Sequence, residues 1–160
     1  MLVVLKIIYT TVLGIISYQD LKERKVTVLL FLLLALVGGY LFYTAQVFEV
    51  FLINTSINIS FIVMLFFLVL LYVKVKMNVK ISEAMGLGDV LFFLVLAISF
   101  PTVTFLVLFS CSLFFSLLLF LVVKPMLKIK TVPLAGFQAL FLSLVILLNW
   151  IFNFVNLYAI

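Results

Sequence analysis

At 160 residues, with 69% hydrophobic and 9% charged side chains and a mean hydropathy of +1.56, the chain is an integral membrane protein, since a soluble domain is only about half apolar. The net charge of +5 is explained by where the basic residues fall along the chain rather than by nucleic acid as a partner. With no histidine and one cysteine, Cys111, the chain excludes a Ser-His-Asp triad, a Cys-His pair, histidine-bound metal, an internal disulfide and a Cys-x-x-Cys zinc site.

A span needs about 20 apolar residues, with a range of roughly 17–25. The first candidate, residues 2–19, lacks a strongly basic start and a small-residue cleavage site, so it reads as a retained helix and not a signal peptide. It ends at Asp20, beside Lys22, Arg24 and Lys25. The second and third candidates are residues 26–43 and 51–73, and Lys74, Lys76 and Lys80 follow the third. Next comes a run over residues 90–123. As one helix it would be about 51 Å long against roughly 30 Å of hydrocarbon, too long for one span and short for two. Pro101 offers a break, because the residue before a proline is pushed out of helical geometry. Lys124, Lys128 and Lys130 precede the last candidate, residues 132–158.

The basic residues settle the count expected from sequence. If the long run is a hairpin broken near Pro101, nine of the ten basic residues share one face and only Lys6 lies near the other. The positive-inside rule favours that arrangement. The expectation is an all-α integral membrane protein with six transmembrane helices and both termini outside. It forms a single membrane-embedded domain over residues 1–160, multi-pass in the cytoplasmic (inner) membrane. The fourth helix is predicted to be short for the bilayer, a mismatch that thinning or tilting would absorb.

Two carboxylates stand out. Asp20 closes the first run, and Asp89 lies in Met85-Gly86-Leu87-Gly88-Asp89-Val90, which opens into the fourth. A carboxylate inside a span costs roughly 2.5–3.5 kcal/mol near the helix centre on insertion scales, so one at the hydrocarbon edge marks a candidate site. Two held close cannot both ionise, so they share a proton. The ionised member can then activate water while the protonated one serves the leaving group, which is aspartyl protease chemistry on one cytoplasmic face. No cofactor and no metal is expected.

Plainer readings stand beside these. Asp20 can be an ordinary juxtamembrane charge paired with Lys22 or Arg24. Gly86 and Gly88 can serve helix packing or a turn, or give an extended substrate backbone room to approach. Glu23 and Glu83 read as solvated charges near Lys22, Lys25 and Lys80, and Glu49 falls on the opposite side. Asn54-Thr55-Ser56 and Asn58-Ile59-Ser60 match the glycosylation pattern but lie in the third apolar run, so they read as polar packing positions. The 19 phenylalanines read as lipid contact and packing. Trp150 and Tyr158 read as interfacial anchors.

These residues resemble the type IV prepilin peptidases and their archaeal preflagellin relatives. Asp20 followed by Lys22, Arg24 and Lys25 looks like the family's first catalytic aspartate and basic segment. Gly86-Leu87-Gly88-Asp89-Val90 looks like its GxGDV element, and Lys130-Thr131-Val132-Pro133-Leu134-Ala135-Gly136 like its late motif, with Pro133 entering the last helix. The resemblance implies an endopeptidase, with Asp20 and Asp89 catalytic, that removes the basic leader from pilin-like precursors at the cytoplasmic membrane face. The implied partners are such a precursor, with a basic leader and an apolar N-terminal helix, and membrane lipid. A basic surface at Lys22, Arg24 and Lys25 would repel a basic leader, so recognition through helix packing and extended backbone contacts is expected.

The chain departs from the family pattern at Thr27-Val28, where Pro-Asn is common, at Leu91, where lysine is common, and at Leu134-Ala135-Gly136, where the late motif usually continues Pro-Phe-x-Pro. Larger members carry a Cys-x-x-Cys segment and methylate the new N-terminus, so peptidase activity alone is expected here. The presenilin and signal-peptide-peptidase group shares GxGD, but its members are larger and place a tyrosine directly before the first aspartate, where this chain has Gln19. A small transporter with a proton relay and a non-catalytic assembly factor are the remaining alternatives.

Overall fold

In lipid every backbone polar group must be satisfied from within the protein, so apolar runs of this length fold as helices. The computed structural model describes residues 2–77, 86–127 and 132–158. Lys80, Glu83, Met85, Lys128, Lys130 and Thr131 lie outside the described residues. Helix α1 spans Leu2–Glu23, α2 Val28–Ala45 and α3 Phe48–Tyr72, which runs into a π-helical turn over Val73–Met77. After these come α4 (Leu87–Ser99), α5 (Thr102–Leu127) and α6 (Leu134–Phe152). Five of them, all but α4, are long and apolar enough to cross a membrane. The expected helical membrane protein is what the chain forms.

The fourth helix is short, as expected, and lies inside the bundle. Phe92, Phe93, Val95, Leu96, Ala97 and Ser99 are all buried, and α2, α3, α5 and α6 pack around it. Gly38 and Gly39 let α2 come close. A Cβ on Gly38 would stand 2.7 Å from Tyr9 Cε2, and one on Gly39 would stand 3.0 Å from Ile98 Cγ2. Small residues commonly permit such approach between membrane helices.

Thirteen residues cover only about 20 Å, against roughly 30 Å of hydrocarbon. The turn at Phe100 and Pro101 therefore needs protein partners for its backbone, and α3 supplies them. Asn58, fully buried, donates through Nδ2 to the carbonyls of Ala97 (3.0 Å) and Phe100 (2.9 Å). One turn earlier, Asn54 Oδ1 accepts the Thr102 N–H at 2.9 Å. The glycosylation-like asparagines are thus polar packing positions, one capping the end of α4 and the other the start of α5.

The last helix is shorter than the apolar run that encodes it. It stops at Phe152, where Asn153 turns left-handed (φ 50°) and donates its N–H to Asn149 O at 2.8 Å. The tail then folds back over the end of α4. The Tyr158 ring stacks on Phe100 and Phe42, at centroid distances of 5.9 and 6.5 Å, and its carbonyl accepts from Gln46 Nε2. Tyr158, expected as an interfacial anchor, fills the space that the short helix leaves.

Candidate active site

Helix α1 ends one turn beyond Asp20. Arg24 takes a left-handed conformation (φ 56°) and its N–H returns to the Asp20 carbonyl at 3.2 Å, a helix-closing cap. The Asp20 side chain crosses to the start of α6, where Oδ2 accepts the Gly136 N–H at 2.6 Å. Asp89, the third residue of α4, reaches the same helix turn, and its Oδ1 accepts the Ala135 N–H at 2.9 Å. Carboxylates 69 positions apart in the chain (20 to 89) are therefore tied to consecutive peptide groups. Their bonded oxygens lie within about 9 Å of each other, given those bond lengths and the reach of one peptide unit.

The sequence folds this way because a helix start offers donors. The first N–H groups of α6 have no partner inside the helix, and they form the positive end of its dipole. Pro133, buried, is the residue from which α6 starts, and its carbonyl accepts the Phe137 N–H at 3.1 Å. Having no N–H itself, it suits an entry position. Asp89 sits likewise in the first turn of α4, whose N-cap is Gly86, with its own N–H on the Gly86 carbonyl at 3.1 Å. Two helix starts thus converge on the two acids.

Both aspartates are partly buried. The charge of Asp20 acts on Asp89, and that of Arg24 acts on Asp20. Lys22, the other basic residue considered as a partner for Asp20, turns instead to Tyr18. Its Nζ donates to the hydroxyl at 3.0 Å and lies 5.2 Å from the ring centroid.

The glycines around the acids are crowded to different degrees. Gly86 is exposed, and a Cβ there would stand 3.2 Å from Asp89 Oδ2. Gly88 faces Phe31 and Ala135 with room for ordinary contact, 3.8 and 4.0 Å from a Cβ. Gly136 has no room, because its Cβ would lie 2.9 Å from both Cβ and Oδ2 of Asp20.

Asp20, Asp89 and the start of α6 after Pro133 therefore come together, with Gly86 and Gly88 alongside. Glu23 is exposed nearby, and Glu49 begins α3 at the other end of the bundle. Among the described residues, no three His, Cys, Asp or Glu side chains could hold a metal ion. In the sequence Ala135 and Gly136 stand out only as part of the late motif. The available signal was the small pair Ala135-Gly136, two and three residues after Pro133, in the opening turn of a helix that is largely apolar.

In the comparisons with known proteins, one family model, described as the type IV leader peptidase family, matches residues 7–123. That stretch is more than half of the 160-residue chain and contains Asp20 and Asp89. No curated protein and no solved structure matches.

Proposed function

This chain belongs to the type IV leader peptidase family, and from that premise we propose that it is an aspartic endopeptidase whose dyad is Asp20 and Asp89. The observation that carries the proposal is the pair of bonds holding these acids to the successive N–H groups of Ala135 and Gly136. Both acids stand at helix ends on one side of the bundle, which favours hydrolysis at a membrane face over a proton relay across it.

In the proposed reaction the ionised carboxylate removes a proton from water as the water oxygen bonds to the scissile carbonyl carbon. The protonated partner supports the developing oxyanion by hydrogen bonding. The C–N bond then breaks, the carbonyl re-forms and the departing amine takes a proton from the dyad. The products are a free carboxyl group and a free amine. The proton is shared, so the dyad titrates as a unit.

The proposed substrate is a pilin-like precursor with a basic leader joined to an apolar helix, cut at the cytoplasmic face of the cytoplasmic membrane. Lys22, Arg24, Lys25, Lys74 and Lys124 all stand at the dyad's end of the helices, which supports a cytoplasmic dyad. An apolar precursor helix packing in the bilayer against this bundle would leave the bond just outside the hydrocarbon, between the acids.

Asparagine variants are the sharpest test, because Asn keeps an acceptor oxygen for the α6 N–H and loses only the acid–base function. Asp20→Asn and Asp89→Asn should each reduce cleavage of a pilin-like precursor by at least about 10²-fold, with little change in melting temperature. Glu23→Gln should retain most activity. Near-normal cleavage by either aspartate variant rejects the dyad.

A further inference from the structure

The end of the bundle away from the dyad holds a cavity of about 300 Å³ between α1, α6 and the C-terminal tail. Lys6, Tyr9, Trp150, Tyr158 and three asparagines, Asn149, Asn153 and Asn156, line it together with aliphatic side chains. Lys6 is 14 residues before Asp20 on α1, or about 21 Å along the helix. The cavity is therefore separate from the dyad, and it lies where the tail closes over the short α4.

Its polar lining is rich in donors. The Lys6 side chain is half-buried, and no Asp or Glu is among the described residues that line the cavity. Asn149 Oδ1 already accepts the Val155 N–H at 3.0 Å, and Asn156 Oδ1 accepts the Tyr158 N–H at 3.1 Å. Their side-chain NH2 groups, like the Trp150 indole N–H, remain as donors. Tyr9 is only 2% exposed, and its hydroxyl lies beside that of Ser99. The Ser99 hydroxyl donates to the Val95 carbonyl at 2.7 Å and keeps lone pairs that can accept from Tyr9.

A half-buried cation with no Asp or Glu among the described lining residues, side-chain donors at Asn149, Trp150 and Asn156, and an aliphatic wall together select an anion attached to an apolar body. Lys6 and Trp150 stand near the ends of α1 and α6, at the level where lysine and tryptophan meet lipid headgroups. We infer that the cavity binds the phosphate headgroup of an anionic phospholipid from the leaflet opposite the dyad, with Lys6 as the counter-ion. Free phosphate offers the same anion without the apolar body, so the aliphatic wall favours the lipid.

The test measures the melting temperature of the purified full chain in neutral detergent. Phosphatidylglycerol, phosphatidylcholine and inorganic phosphate are titrated in turn. Phosphatidylglycerol should raise the melting temperature, and the other two should not at equal concentration. Lys6→Gln should weaken the phosphatidylglycerol response at least tenfold, while Lys6→Arg and the dyad-end control Lys124→Gln should retain it. Equal responses to both lipids, a full response to inorganic phosphate, an undiminished response in Lys6→Gln or a loss in Lys124→Gln would each overturn the assignment. If Lys6→Gln does not fold, native mass spectrometry of the unmodified chain with both lipids decides: preferential retention of phosphatidylglycerol supports the site, and equal retention refutes it.

Discussion

A methyl group at position 136 would press on Asp20 itself, 2.9 Å from its Cβ and from the oxygen that receives the Gly136 N–H. Nothing flexible lies between them, so either the carboxylate or the start of α6 must move. Displacement of a reacting group by about 1 Å can cost roughly 10²-fold in rate. Gly136→Ala is accordingly expected to lower kcat for precursor cleavage by about that factor, with KM nearly unchanged and stability lowered by roughly 1–3 kcal/mol, as overpacking typically costs. Gly14→Ala is the matched control, because a Cβ there meets nothing within 4 Å, and it should cleave normally. A Gly136→Ala enzyme with full kcat would show that the Gly136 contact does not position Asp20.

Among the elements, α4 depends most on its neighbours. It ends inside the bundle, and Asn58 supplies donors to two of its terminal carbonyls. Removing that amide leaves buried acceptors without partners, at about 1–3 kcal/mol per unsatisfied group, although hydrogen bonds between membrane helices average nearer 0.6 kcal/mol. Asn58→Ala is therefore expected to destabilise the protein by about 1–2 kcal/mol. Reversible unfolding in mixed micelles would measure it, and unchanged stability would mean that the turn at Pro101 finds other donors. Asn54→Ala should cost less, since only the single Thr102 N–H loses its acceptor.

For the whole molecule, the short α4 sets the alternation of the chain. Because α4 and α5 form a hairpin, the C-terminal ends of α1, α3 and α5 fall on one side with the starts of α4 and α6. Lys22, Arg24, Lys74 and Lys124 therefore share the dyad's side, and Lys6 and Glu49 lie opposite. In a chain whose exposed Cys111 is replaced by serine, a cysteine at position 49 should react with an impermeant reagent added outside cells. One at position 23 should react only after permeabilisation. The reverse pattern would place the dyad outside and remove the cytoplasmic reading of its substrate.

Hydropathy and charge are properties of consecutive residues, so the sequence alone determined the membrane class, the helical runs, the break at Pro101 and the two acids worth watching. Its limits were equally physical. Helices that are apolar all round present no face to read, because lipid is as apolar as the packing surface. That hid the internal position of α4, the capping roles of Asn54 and Asn58, and the return of the tail after Phe152. The partners of the acids were hidden for a different reason. Asp89 and Asp20 bond to groups 46 and 116 positions away, and those groups are backbone N–H donors that almost every residue carries. Only the tertiary structure decides which of them stand unpaired at a helix start, and here Ala135 and Gly136 do so within reach of both carboxylates.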